Sequence, residues 1–113
     1  MAELLISTME TVPGYVIRKH LGLVQGSSVR AKHFGRDLMA SLKNMVGGEL
    51  KGYTELLQET RDEALERMQA EAKAVGANAV LNVRLATSSV ATGAAEVFAY
   101  GTAVVLEDLP ETA

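Results

Sequence analysis

Phe34, Leu38, Leu42 and Met45 recur every three or four residues, the spacing of one face of an α-helix. The spacing predicts a helix over about 35–46. Asp37 falls in its first turn, where a carboxylate suits the positive end of the helix dipole, and Gly47-Gly48 closes it. A longer stripe follows at Leu50, Tyr53, Leu57, Ala64, Met68, Ala72 and Val75, with the aliphatic stem of Arg61 filling its gap. The opposite side carries Glu55, Glu59, Asp62, Glu63 and Glu66. This predicts a helix over 49–75, about 40 Å long at 1.5 Å per residue, capped by Gly76 with Asn78 in the turn beyond it. Thr60-x-x-Glu63 fits a capping box that would start a helix at Thr60. The stripe is continuous on both sides of it, so one uninterrupted helix is expected.

Elsewhere the period shortens to two, the mark of strands. After the apolar run Leu4-Leu5-Ile6, Pro13-Gly14 punctuates a turn. Residues 15–24 then read as a strand, with Tyr15, Ile17, Leu21 and Leu23 on one face and Arg18, His20 and Gly22 on the other, before a bend at Gly26-Ser27-Ser28. Residues 80–87 set Leu81, Val83 and Leu85 against Asn82 and Arg84. A loop over 88–95 leads into a last strand over 96–106, which makes an antiparallel hairpin. Residues 108–113, with Pro110 among charges, read as a frayed tail.

The last strand has no polar face. Phe98, Tyr100, Thr102, Val104 and Leu106 lie on one side, Val97, Ala99, Gly101, Ala103 and Val105 on the other. A strand apolar on both sides needs cover on both sides. Two helices cover one face of a small sheet, and in 113 residues little is left for the other. The pattern predicts a homo-oligomer in which another subunit supplies the cover. A sheet curled around a single core is the alternative.

Composition narrows the class. One domain is the expectation for 113 residues. Eleven Lys and Arg against 14 Asp and Glu leave a net charge of −3, which argues against nucleic acid as a partner. The absence of Cys excludes a disulfide scaffold, thiolate metal ligation and a cysteine nucleophile. No apolar run approaches the ~18–20 residues that span a bilayer, and no signal-peptide layout opens the chain. A soluble, cytoplasmic domain is expected.

Candidate chemistry is sparse. His20 and His33 stand on different predicted elements, so no transition-metal site and no metal ligands are assigned. The acidic row on the long helix reads as a solvated face, with Glu63 and Arg67 in the favourable i,i+4 order. No serine sits in Gly-x-Ser-x-Gly, and no catalytic residue is assigned. Gly47-Gly48 before the long helix offers free N–H groups to an anion, although a corner between helices uses paired glycines in the same way. Arg36, Asp37, Lys43, Glu49 and Arg84 gather at element ends. Arg84 either pairs with a carboxylate such as Glu96 across the hairpin or lines a ligand pocket between subunits.

Several segments carry a family resemblance: Gly35-Arg36-Asp37; Gly47-Gly48-Glu49-Leu50-Lys51-Gly52-Tyr53; Arg61-x-x-Ala64; Gly76-Ala77-Asn78-Ala79-Val80; and Ala99-Tyr100-Gly101-Thr102-Ala103-Val104. From Ile6 to Val105 the chain resembles the YbjQ-like family, small bacterial and archaeal proteins that carry a heavy-metal-binding label. The resemblance implies an α+β, dodecin-like β-α-β-β subunit with an antiparallel sheet and one long helix, assembled as a ring-forming homo-oligomer, most simply a homopentamer. Arg36, Asp37, Glu49 and Tyr53 match the family's motif and, with Arg84, form the expected ligand-binding set. Flavin storage by dodecin-like relatives is an analogy of fold alone, and three Tyr and two Phe supply little to stack on it. No cofactor is therefore named. The expectation is a non-enzymatic oligomer that binds a small ligand at its subunit interfaces. Alternatives are a metal-binding protein, an interface enzyme using Asp37 or Glu49 as acid or base with Arg36 as anion holder, and a purely structural assembly.

Overall fold

The computed structural model describes residues 3–31, 51–91 and 94–110. β1 (Leu5–Ile6), β2 (Tyr15–Ala31), α1 (Lys51–Ala74), β3 (Ala79–Ala91) and β4 (Ala94–Asp108) follow in order. The four strands form one sheet in the order β1-β3-β4-β2. β4 pairs antiparallel with both β2 and β3, as expected. β1 pairs parallel with β3, so the sheet is mixed rather than antiparallel. The segment β2-α1-β3-β4 keeps the expected β-α-β-β order, with β1 added at an edge. The helix expected over 35–46 lies outside the described residues.

The long helix runs unbroken through Thr60, as its stripe required. Its buried line is Leu56, Thr60, Ala64, Met68 and Ala72, one residue in four and shifted from the predicted line at its N-terminal end. Thr60, not the stem of Arg61, fills the gap. Its hydroxyl donates to the Leu56 carbonyl at 2.6 Å, which satisfies the one polar atom and lets the small side chain enter the core. Arg61 and Val75 are exposed. Gly76, at φ 88°, ends the helix. Ala77 N–H reaches the Ala72 carbonyl and Gly76 N–H the Lys73 carbonyl, both at 3.0 Å, a Schellman closure.

β2 continues through Gly26-Ser27-Ser28 without the expected bend. Register shifts between Ile17 and Lys19 and between His20 and Gly22 interrupt the period of two. The two shifts cancel, so Tyr15, Ile17 and Leu23 share the face turned away from the helix, with Leu23 69% exposed, and Val24, Gly26 and Ser28 pack inward. At Gly26 the helix backbone lies against the strand. A Cβ there would collide with the Met68 nitrogen and the Ala64 oxygen and stand 2.8 Å from the Arg67 carbonyl carbon. Beside this contact the Ser28 hydroxyl donates to Glu63 at 2.5 Å. Arg67 pairs with Glu63 at 3.0 Å, the anticipated i,i+4 pair, and donates to the Ser27 carbonyl at 2.6 Å.

β3 carries a bulge where Asn82, at φ 54°, and Val83 together oppose Gly101. The extra residue puts Leu81 and Val83 on opposite faces rather than on one. Gly101 gives the room: a Cβ there would meet Val80 Cγ1 at 2.6 Å and the Leu81 oxygen at 2.9 Å. The bulge also turns its N–H groups outward, and Asn82 and Val83 donate to the Met9 and Ser7 carbonyls of the N-terminal segment. The strands reach Ala91 and Ala94, so the hairpin loop is far shorter than the expected 88–95. The C-terminal end is tied down further than expected: Asp108 belongs to β4, and Leu109 N–H donates to the Gly14 carbonyl at 2.9 Å.

Two apolar clusters result, one on each face. Val24, Ala64, Met68, Val80, Val83, Val97 and Ala99 meet under the helix. Ala79, Leu81, Val104 and Leu106 meet on the other face, where Leu5 and Val12 of the N-terminal segment cover them. The sequence expectation assigned all cover of the second face to another subunit; part of it comes from this chain's own N-terminal segment.

Gly26→Ala is expected to lower stability by about 1–3 kcal/mol, because the added methyl has only helix backbone to displace. Urea denaturation followed by circular dichroism measures the loss. An unchanged midpoint would contradict the backbone contact described here.

Candidate functional site

Among the described residues, the helix-free face is only partly covered. A 17-residue strand such as β2 spans about 56 Å at 3.3 Å per residue, whereas the 24 residues of α1 span about 36 Å. The N-terminal segment seals one end of the second face. Towards the β3–β4 hairpin, Tyr100 and Phe98 of β4 lie on that face opposite Gln25 and Ser27 of β2, with Leu23 and Val29 in the rows on either side. Leu23 is 69%, Val29 55% and Tyr100 37% exposed. The Phe98 and Tyr100 rings stand 5.9 Å apart. The Cα radius of gyration is 18.3 Å, with extents of 65 × 26 × 22 Å, against about 13 Å for a compact domain of this length. The described chain is thus drawn out along its strands rather than closed around one core.

Arg84 stands on this face opposite Tyr100. It does not pair with Glu96. Its guanidinium donates to the Thr8 carbonyl at 3.1 Å and to the Val83 carbonyl at 3.0 Å, which clamps the N-terminal segment to the bulge. Glu96 lies two rows away, opposite Ser88, and accepts from the Ser88 hydroxyl at 3.3 Å. Arg36, Asp37 and Glu49 lie outside the described residues. Tyr53 is in the first turn of α1. Of the five candidates, only Arg84 has its side-chain surroundings described.

A site that sequence reasoning passed over lies on the helix side. α1 rests mainly on β2 and then β4, and hardly touches β3. Beside it a cleft of about 210 Å³ opens, lined by Thr54, Leu57, Gln58 and Arg61 of α1 and by Leu85, Thr87 and Val97 of the sheet. Leu57, Leu85 and Val97 form an apolar floor. Thr54, Gln58, Arg61 and Thr87 form a polar rim in which, among the described residues, the only formal charge is the Arg61 cation. The signal was legible: Thr54, Gln58 and Arg61 recur at i, i+4 and i+7, a polar ridge beside the apolar stripe. A smaller cleft of about 160 Å³ lies at Glu3, Leu5, Tyr15, Asn78 and Leu106. Its one amide is already spent, because Asn78 bonds both the N–H and the carbonyl of Leu106 at 2.7 and 2.9 Å.

For metal, His20 is exposed on β2. No group of three or more His, Cys, Asp or Glu side chains converges among the described residues. Heavy metals of soft character prefer thiolate and imidazole ligands. A chain with no Cys and two His does not fit that preference. No helix among the described residues is long and apolar enough to cross a membrane.

A family model described as "Putative heavy-metal-binding", named YbjQ_1, matches residues 4–107. A UPF0145 protein of Hahella chejuensis is 69% identical over 104 residues, covering 92% of this chain and all of the relative. A UPF0145 protein of Thermus thermophilus is 58% identical over 109 residues, 96% of either chain. One of Clostridioides difficile is 60% identical over 105 residues, 93% of this chain and 94% of its own. The crystal structure of a DUF74-family protein of unknown function from Pediococcus pentosaceus superposes with a TM-score of 0.62 at 18% identity, over 92% of this chain and 98% of that one. That likeness concerns the fold alone.

His20→Ala is expected to leave metal content and thermal stability unchanged, within the ~0.5 kcal/mol typical of surface substitutions. Denaturation scans with and without zinc, alongside elemental analysis, measure both. A zinc-dependent rise in midpoint that His20→Ala abolishes would reinstate a histidine metal site.

Proposed function

The chain belongs to the YbjQ_1 family, and from that premise we propose that it is a non-enzymatic, cytoplasmic homo-oligomer that holds a small ligand at the contacts between its subunits. The observation that carries this reading is the apolar patch of Leu23, Val29, Phe98 and Tyr100 on the helix-free face. Solvating such a patch costs roughly 25 cal/mol for each Å² of apolar surface, and patches of this kind on soluble chains mark contact surfaces. Arg84 and Tyr100 beside it supply a cation and a hydroxyl at the edge of the contact, groups able to orient a ligand. Another copy of the same face is the simplest cover, because symmetric assemblies reuse one surface. A ring of five is the expected count, on the family resemblance.

Native mass spectrometry of untagged protein, purified without added metal or chelator, tests the reading. A ring of subunits carrying extra mass is the expected result, and that mass delivers the ligand for identification. A ring without extra mass, followed by no thermal shift from a broad metabolite panel, would remove the ligand and leave a structural assembly. A bare monomer at micromolar concentration would overturn the reading altogether. The double variant Leu23→Asp with Tyr100→Asp is expected to yield monomers with unchanged helical circular dichroism, because charge on that patch opposes contact without touching the core under α1.

A further inference from the structure

We infer that the cleft between α1 and β3 is a binding site for a small amphipathic monoanion: a carboxylate carried on an aromatic ring or a short hydrocarbon body.

Volume sets the size of the body. At about 210 Å³ the cleft falls short of the ~300 Å³ at which drug-sized pockets begin, yet exceeds the ~150 Å³ apolar cavity that admits benzene. It fits one ring and a short arm. The lining sets the character of the body: Leu57 from the helix faces Leu85 and Val97 from the sheet, and these branched side chains offer an apolar surface to a ring or alkyl chain. Leu85 is 44% exposed, so apolar surface there remains to be buried.

The rim sets the head group. Arg61 is the one charged residue among the described residues of the lining. Its guanidinium lies 4.0 Å from the exposed Asp62 carboxylate, too long for a bidentate pair. A guanidinium held in that way retains donors for a further carboxylate. Thr54, Gln58 and Thr87 add hydrogen-bonding groups around the same opening. A cation at the mouth of an apolar cleft, with no carboxylate among the described lining residues, selects an anion over its neutral analogue.

The probes are 3-phenylpropionate and 3-phenylpropan-1-ol, which share a body and differ in the head group. Each is titrated by calorimetry into the full chain. Saturable binding of the carboxylate at one per chain is expected, about tenfold tighter than the alcohol, the lower end of what a charge-assisted contact supplies. Arg61→Gln should abolish that preference and leave alcohol binding unchanged, whereas Arg61→Lys should keep most of it. Leu85→Ala should weaken both probes alike. Equal affinity of the wild-type chain for the two probes overturns the inference, as does no saturable binding at about millimolar concentration or a preference that survives Arg61→Gln. A native mass altered by Arg61→Gln in a protein that binds neither probe would assign the cleft to subunit contact instead. The described lining belongs to one chain, so the test of the cleft and that of the assembly fail independently.

Discussion

The close approach of helix backbone to strand backbone at Gly26 governs how everything else is arranged. Only a residue without a Cβ lets β2 come so near Ala64 and Met68. The hydrogen bonds of Ser28, Glu63 and Arg67 hold the two elements beside that point. With the helix pinned over β2, its buried Ala64, Met68 and Ala72 share one cluster with Val97, Ala99 and Ala103 of β4. Little of the helix remains for β3. The cleft at Leu85 and Thr87 is what that offset leaves behind.

The second constraint is length. The described strands outrun the described helix, which lies on one side of a sheet apolar on both faces. The N-terminal segment solves part of the problem. It docks on the β3 bulge through Asn82, Val83 and the Arg84 guanidinium and lays Leu5 and Val12 over the second cluster. The rest of that face, towards the hairpin, still presents large apolar side chains to solvent. The elongated shape and the exposed apolar side chains therefore have one cause.

Arg84 illustrates how a residue shifts meaning once neighbours are known. On the sequence it is a lone cation on a neutral strand face, open to an ion pair or to a ligand. In the fold it first serves as a clamp on carbonyl groups of the N-terminal segment, and only its position opposite Tyr100 links it to the uncovered patch. Arg61 moves the other way. On the sequence its stem completes a core stripe, yet the core takes Thr60, whose hydroxyl is satisfied inside the helix, and Arg61 becomes the charged wall of a cleft.

Local pattern alone was enough for the long helix, its passage through Thr60, its glycine closure, the Glu63–Arg67 pair and the two-sided character of the last strand. Each depends on residues close together along the chain, where periodicity and capping chemistry operate. The family was also legible, since its glycine-rich segments stand intact. Tertiary structure alone decided the inward face of β2, the split of Leu81 from Val83, the parallel pairing of β1, and the partners of Arg84. A bulge adds one residue and reverses every side chain beyond it, and no local periodicity records where that slip falls. The cleft depended on tertiary structure for the same reason: its walls, at Arg61 and at Leu85, meet only because Gly26 fixes where the helix lies.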